Sequence, residues 1–259
     1  MASLFQNLVT KNSRLSIDQQ IVKRTIISFL VFFVFMGVAL YAWKWLRHQP
    51  PTADGTRAPL RQVLNVNERI FMGLLSRRHR AKEYPVSEAV KNVRVNGMDG
   101  LQTPLDSANW RLKVARKNGD TLALTLDDIK KLPKTDIVFN FKCIEGWSQI
   151  THWAGVKFSD FVQAYGLQDE AGMKYVGLAT PDKGYYVGID MASAMHPQTI
   201  LCYEMNGAPL PLNQGYPLRL IIPVKYGIKH LKRIGTMYFD NIKPRDFWAE
   251  RGYDYFSGL

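Results

Sequence analysis

The stretch DIVFNFKCIEGWS, residues 136–148, decides how the chain is read. Its first part alternates as a β-strand does: Ile137, Phe139, Phe141 and Cys143 share one face, while Asp136, Asn140 and Lys142 share the other. The apolar face ends on a thiol, and Glu145-Gly146-Trp147-Ser148 then supplies a turn. Two readings of Cys143 stand side by side here: an inert buried residue, the commoner fate of a cysteine on an apolar face, or a ligand presented at the end of a strand. A disulfide with the second cysteine, Cys202, is a third arrangement that geometry alone decides.

Working outward, further runs with strand character lie at 110–114, 175–179, 185–189, 200–205, 218–224 and 233–239. Two short helices are marked by their ends: one opens at Thr125-Leu-Asp-Asp128 and stops before Pro133, and the other covers 157–165 and closes at Gly166. Strands and helices do not alternate strictly, so the pattern predicts a mixed α+β domain rather than a doubly wound nucleotide fold. There is no internal repeat and no low-complexity tract.

The segment LRLIIPVKYGIKHLKR, residues 218–233, breaks an apolar run with Arg219. A buried guanidinium needs an anionic or carbonyl partner, because an unpaired one costs several kcal/mol, on the order of 3 or more. Just beyond it Lys225, Lys229, Lys232 and Arg233 cluster around Gly227. That is a place where backbone N–H groups and cations hold a phosphate; a solvated basic loop with Arg219 paired to a carboxylate is the equal alternative.

Towards the N-terminus, residues 25–43 read TIISFLVFFVFMGVALYAW, 19 residues without a charge. At ~1.5 Å per residue they reach about 28 Å, close to the thickness of a bilayer core. Tyr41, Trp43 and Trp45 mark one interface. Lys44-Trp45-Leu46-Arg47 follows in place of a small-residue cleavage site, which predicts an uncleaved anchor. Lys11, Arg14, Lys23 and Arg24 before the run balance Lys44, Arg47, Arg57 and Arg61 after it, so charge bias leaves the orientation undecided. The expected organisation is an N-terminal tail at 1–24, a transmembrane anchor at 25–46, a linker and basic helical segment at 47–90, and the main domain at 91–259. Within the third part, 47–60 is rich in Pro. Residues 61–82 combine apolar positions with Arg77, Arg78, Arg80 and Lys82, a short helix lying on the main domain or on the membrane surface.

The net charge of +12 sits mostly near that anchor: residues 1–90 carry +8 and residues 91–259 carry +4. This distribution suits anionic lipid headgroups, and no nucleic-acid-binding signature accompanies it, so no nucleic-acid partner is expected. A hydrophobic share of 46% and only two cysteines exclude a disordered chain and a disulfide scaffold. The sequence lacks G-x-G-x-x-G, a Walker loop, G-x-S-x-G and H-E-x-x-H, which removes most nucleotide, hydrolase and zinc-peptidase chemistry.

The segment Phe141-Lys-Cys-Ile-Glu-Gly-Trp-Ser148, followed by Trp153-Ala-Gly155, resembles the cofactor-ligating segment of the sulfite-oxidase-type molybdopterin oxidoreductases. The resemblance is greatest to the branch containing the bacterial periplasmic methionine-sulfoxide reductase catalytic subunit. It continues in order through Met195-His-Pro197, 203–211, 215–220, 223–229 and 247–253. It implies a mixed-sheet α+β fold holding molybdenum through molybdopterin and one protein thiolate, by motif match Cys143. It carries the pterin and phosphate contacts to Gln214, Arg219, Lys225 and Lys229, with Asn67 as an upstream contact, and it makes Glu145 a candidate proton-handling group. Gln214 departs from the Asn or His usual at its position.

The implied reaction is two-electron oxygen-atom transfer. Ile144, Glu145, Gly146 and Trp147 stand where sulfite oxidases carry arginines, which favours reduction of a neutral S-oxide or N-oxide. The alternatives are a sulfite-type oxidase and a catalytically silent structural subunit of a membrane complex. Electron transfer from a haem-bearing or quinol-oxidising membrane partner and a periplasmic catalytic domain are further implications, although Lys23-Arg24 stands in place of a twin-arginine signal.

Overall fold

The computed structural model describes residues 16–53, 55–74 and 79–259. The chain divides into one unit of residues 1–51 with 57–59 and a second of 52–56 with 60–259. Lys11 and Arg14, and Arg77 and Arg78 of the basic segment, lie outside the described residues.

The first unit is built on α1 (Ile17–His48), which contains the uncharged run and extends beyond it at both ends. Ser16 starts it through a capping box: Ser16 Oγ accepts from Gln19 N, and Gln19 Oε1 accepts from Ser16 N. Its apolar residues point in all directions and none is buried. By length and composition it suffices to cross a membrane.

The second unit carries all but the first two residues of α2 (Ala58–Leu74) and a mixed α+β body. In chain order the body runs β1 (Leu112–Ala115), β2 (Thr121–Leu124), α3 (Leu126–Lys130), β3 (Lys134–Lys142), β4 (Ser148–Lys157), α4 (Phe158–Ala164) and α5 (Gln168–Ala171). It continues with β5 (Tyr175–Ala179), β6 (Tyr186–Asp190), α6 (Met191–Ala194), β7 (Ile200–Met205), β8 (Ala208–Pro209), β9 (Arg219–Ile221) and β10 (Thr236–Asp240). One sheet has the order β2-β1-β10-β5-β6, with β1 and β10 parallel and the other pairs antiparallel. The other is antiparallel, β3-β4-β7-β8, with β9 also paired to β7.

The expected strands all form within a few residues of their predicted positions, and α3 opens on the predicted Thr125, whose hydroxyl accepts from Asp128 N at 3.1 Å. The sequence pattern missed β4, the longest strand. Thr151 to Val156 are buried on both faces between β3 and β7, so the alternation that reveals a half-exposed strand is absent. Gly155 is required there, since a Cβ would stand 2.1 Å from Leu201 O where the register shifts. Beneath this sheet Ile137, Phe139, Phe141, Trp153, Ile200, Cys202 and Ile221 form a compact apolar cluster that backs the segment after β3.

Candidate functional site

Cys143 is presented by the β3–β4 hairpin. Pairing runs to Lys142 opposite Ser148, which leaves 143–147 as the connecting turn. Cys143 N donates to Trp147 O at 2.9 Å and Gly146 N to Cys143 O at 3.1 Å, with Gly146 at φ 89°. The thiol is 2% exposed and receives a hydrogen bond from Asn96 Nδ2 at 3.2 Å. Neither cysteine is in a disulfide. Burial pushes the Cys143 pKa up and the Glu145 carboxylate adds to that, while nearby backbone N–H groups and Arg94 oppose it. As a free side chain it is a thiol; a metal would have to displace its proton.

A cleft in two chambers opens at this turn. The inner one, about 40 Å³, is walled by Arg94, Trp153, Gln214 and Arg219, and the outer one, about 260 Å³, by Asp99, Ile144, Glu145, Tyr185, Trp248 and Tyr253. Asn96, Gly227, His230 and Lys232 line both and form the partition. At Gly227 a Cβ would stand 2.8 Å from the Phe141 ring, so the loop passes as close as a backbone can. His230 is buried and its pKa falls to about 3 through burial and then Arg219, so its ring is neutral.

Arg219 decides the electrostatics of the inner chamber. It is 2% exposed, donates from Nη1 to Gln214 O at 3.0 Å and Oε1 at 2.9 Å, and lies 4.5 Å over the Trp153 ring. Its Nε is buried without a hydrogen-bond partner, and among the described residues no carboxylate pairs with it. Burial lowers its pKa to about 10, which leaves it a cation at neutral pH. Lys232 Nζ donates to Asn96 O at 2.6 Å and Gly97 O at 3.0 Å, and burial followed by Arg219 lowers its pKa to about 7. The Arg94 guanidinium sits 4.8 Å over Trp147, whose Nε1 donates to Glu145 Oε2 at 3.0 Å. A buried cation with an orphaned donor, beside a second amine that backbone carbonyls hold among the described residues, suits an anionic group.

Of the residues singled out in the sequence, Glu145, Gln214 and Arg219 line this cleft, and Cys143 is tied to it through Asn96, which lines both chambers. Asn67 does not: it is exposed on α2. Lys225 and Lys229 also stand apart from it, because each ammonium group already has a carboxylate. Lys225 Nζ donates to Asp190 Oδ1 at 2.7 Å and Phe256 O at 2.8 Å, and Lys229 Nζ pairs with Asp246 and donates to Gly188 O at 3.1 Å. Their ion pairs fix the loop that carries Gly227. The chain's last residues brace the same loop, with Tyr226 N donating to Ser257 O at 2.9 Å and Leu259 N to Val224 O at 3.0 Å. Lys232 was visible in the basic cluster but not separable from its neighbours there. Arg94 and Asn96, which lie some fifty residues before Cys143, gave no sequence signal beyond the turn-forming pair Asn96-Gly97.

The family model described as "Oxidoreductase molybdopterin binding domain" matches residues 100–248, more than half of the chain. The chain belongs to this family. It is 41% identical over 154 residues to an Azospira oryzae protein with the provisional name protein-methionine-sulfoxide reductase subunit YedZ1, covering 60% of this chain and 58% of that one. It is 30% identical over 178 residues to the protein-methionine-sulfoxide reductase catalytic subunit MsrP of Campylobacter jejuni, covering 61% of this chain and 59% of MsrP. The mitochondrial sulfite oxidase of Rattus norvegicus is 31% identical over 180 residues, 59% of this chain and 33% of the oxidase. The chain thus spans little more than half the length of the first two and a third of the last.

The residues at the cleft fit a molybdopterin-binding domain. A thiol supplies a soft donor for a metal, and Arg219, whose buried Nε has no partner, supplies the charge that an anionic pterin requires. Cys143, Gln214, Arg219 and Lys232 fall inside the matched residues, while Arg94 and Asn96 precede them.

Proposed function

We propose that the protein is a membrane-anchored molybdopterin oxidoreductase that reduces a neutral S-oxide or N-oxide. Cys143 is the metal ligand, and Asn96 orients its sulfur. Arg219, held by Gln214, and Lys232 receive the anionic parts of the pterin. Lys225 and Lys229 act through their ion pairs, keeping Gly227 against Phe141. When bound, the cofactor supplies two-electron oxygen-atom transfer; the oxide loses its oxygen as water after taking up two electrons and two protons. Glu145, which accepts a hydrogen bond from Trp147 at the wall of the outer chamber, is the carboxylate we assign to pass protons to that oxygen.

The observation that carries the substrate reading is the division of charge between the chambers. The cations gather on the inner wall and the partition, whereas the outer chamber offers the acidic residues Asp99 and Glu145 and the faces of Tyr185, Trp248 and Tyr253. An anion entering there meets carboxylates, while a neutral oxide with apolar substituents meets rings. Turnover of methionine sulfoxide with a reduced viologen is expected. Brisk sulfite oxidation with no activity on any oxide overturns the reading in favour of a sulfite-type oxidase, which Arg94 and Lys232 favour as the second possibility. A folded protein without molybdenum, after expression with molybdate and an intact pterin pathway, leaves a structural subunit instead.

For α1 the proposed role is that of an uncleaved anchor, with electrons arriving from a haem-bearing or quinol-oxidising membrane partner and the catalytic unit on the periplasmic side. Support comes from the uncharged run and from the resemblance of the catalytic segment to periplasmic reductases. Release from membranes by alkaline carbonate sinks the anchor, and protease protection in spheroplasts tests the side.

A further inference from the structure

Among the described residues, helix α2 leaves an apolar face without a partner. Leu60, Val63, Val66, Ile70 and Leu74 are between 45% and 71% exposed. At about 100° per residue they fall within a sector of roughly 120°, interrupted by Asn67. A second sector, with Arg61 and Glu68, turns into the catalytic unit: Glu68 is buried and pairs with Lys243, and Arg61 donates to Tyr253 O and Ala249 O at 3.0 and 2.9 Å. Phe71, at the edge of the apolar sector, stacks on Phe256 at 6.4 Å. Gln62, Asn65 and Arg69 occupy the remaining, exposed arc. The helix is therefore fastened to the unit on one side and apolar on another, with a polar arc between them.

We infer that this face of α2 lies in the headgroup region of the bilayer that α1 spans, an inference that rests on the proposed anchoring role of α1. The length of the connection is the first support: residues 49–57 join the two helices and reach at most about 30 Å even when extended. The second is the chemistry of the face, whose exposed positions apart from Asn67 are aliphatic and carry no acidic group. Interfaces with proteins draw their energy from Trp, Tyr and Arg anchors, whereas an aliphatic stripe beside a polar arc suits acyl chains and headgroups. The third is charge: the sequence continues from α2 into Ser76-Arg77-Arg78-His79-Arg80, cations that favour anionic lipid.

The test uses the full-length protein in vesicles of equal parts phosphatidylethanolamine and phosphatidylglycerol. Both native cysteines are buried, so a nitroxide can be directed to single positions: Val63→Cys and Ile70→Cys on the stripe, Gln62→Cys on the polar arc, and Phe33→Cys within α1. Expected is a several-fold excess of oxygen over nickel-chelate collisions at 63 and 70, as at 33, and the reverse at 62. If 63 and 70 report water while 33 reports lipid, the inference fails and the anchor stands. If 33 also reports water, the anchor fails with it. Labels at 63 and 70 shielded from both reagents place the face against protein, a second copy or a membrane partner, and equally overturn the inference.

Discussion

Arg219 reaches back to Gln214 and takes both of its oxygens on one nitrogen, while Gln214 Nε2 donates to Val93 O and Arg94 O at 3.3 and 3.4 Å. The amide thus ties the guanidinium of one strand to the segment that carries Arg94 and Asn96. Replacing Arg219 removes the buried charge and the anchor of this relay together. We expect Arg219→Ala to fold but to lose cofactor. With a charge-assisted hydrogen bond worth about 1.5–3 kcal/mol, affinity should fall roughly ten- to a hundredfold. Arg219→Lys should recover little, since an ammonium cannot reproduce the fork. Molybdenum and oxidised-pterin content per chain measure this, and full occupancy in Arg219→Ala contradicts it.

Lys229 should behave differently. Its removal strands the buried Asp246, so Lys229→Ala is expected to cost about 3–5 kcal/mol in urea unfolding. Lys229→Met combined with Asp246→Leu should restore much of that. Cofactor content of the folded fraction should fall less than in Arg219→Ala. The opposite ranking would make Lys229 a direct phosphate ligand.

The two cysteines also part company. Cys143→Ser is expected to abolish turnover and lower the molybdenum content, because a serine oxygen is a harder donor. Cys202 packs in the cluster under β4, donates to Glu204 O at 3.2 Å and has its pKa pushed to about 12 by burial, so it is an inert thiol. Cys202→Ser should keep activity and cost about 1–2 kcal/mol. Loss of activity in folded Cys202→Ser would refute this division.

Lys232 gives a pH dependence. Its pKa in the folded state is lowered to about 7 by burial, below the ordinary lysine value of about 10.4. Between those values the unfolded chain holds a proton that the folded chain does not, so its contribution to the stability of cofactor-free protein rises with pH. Lys225, lowered to about 8, adds a slope of the same sign. Urea midpoints at neutral and alkaline pH should therefore rise less steeply in Lys232→Met than in wild type. Parallel profiles would mean that Lys232 keeps its proton when folded.

The legible parts of the fold were those with one wet face or a marked end: β3 through its alternation, α3 through Thr125, α4 through Gly166. β4 was hidden because both its faces are dry. At the site, Arg219 stood out as a charge inside an apolar run, whereas Cys143, an ordinary residue on an apolar face, was singled out by the family resemblance of its segment. Asn96 and Lys232 did not stand out, since their importance lies in which walls they share, a property of tertiary structure. The charge of Lys225 and Lys229 was equally visible, but the carboxylates that absorb it come from Asp190 and Asp246, distant in sequence and no more conspicuous than other acids.

The bracing of the Gly227 loop by residues 256–259 makes a stretch that lines neither chamber part of the cleft's foundation. Phe256 O and Ser257 O accept from Lys225 Nζ and Tyr226 N, and Leu259 N donates to Val224 O, so the seat of Gly227 against the Phe141 ring depends on backbone groups about thirty residues further along the sequence. A clip of a few residues there would be felt at the partition of the cleft although it removes no residue that lines it.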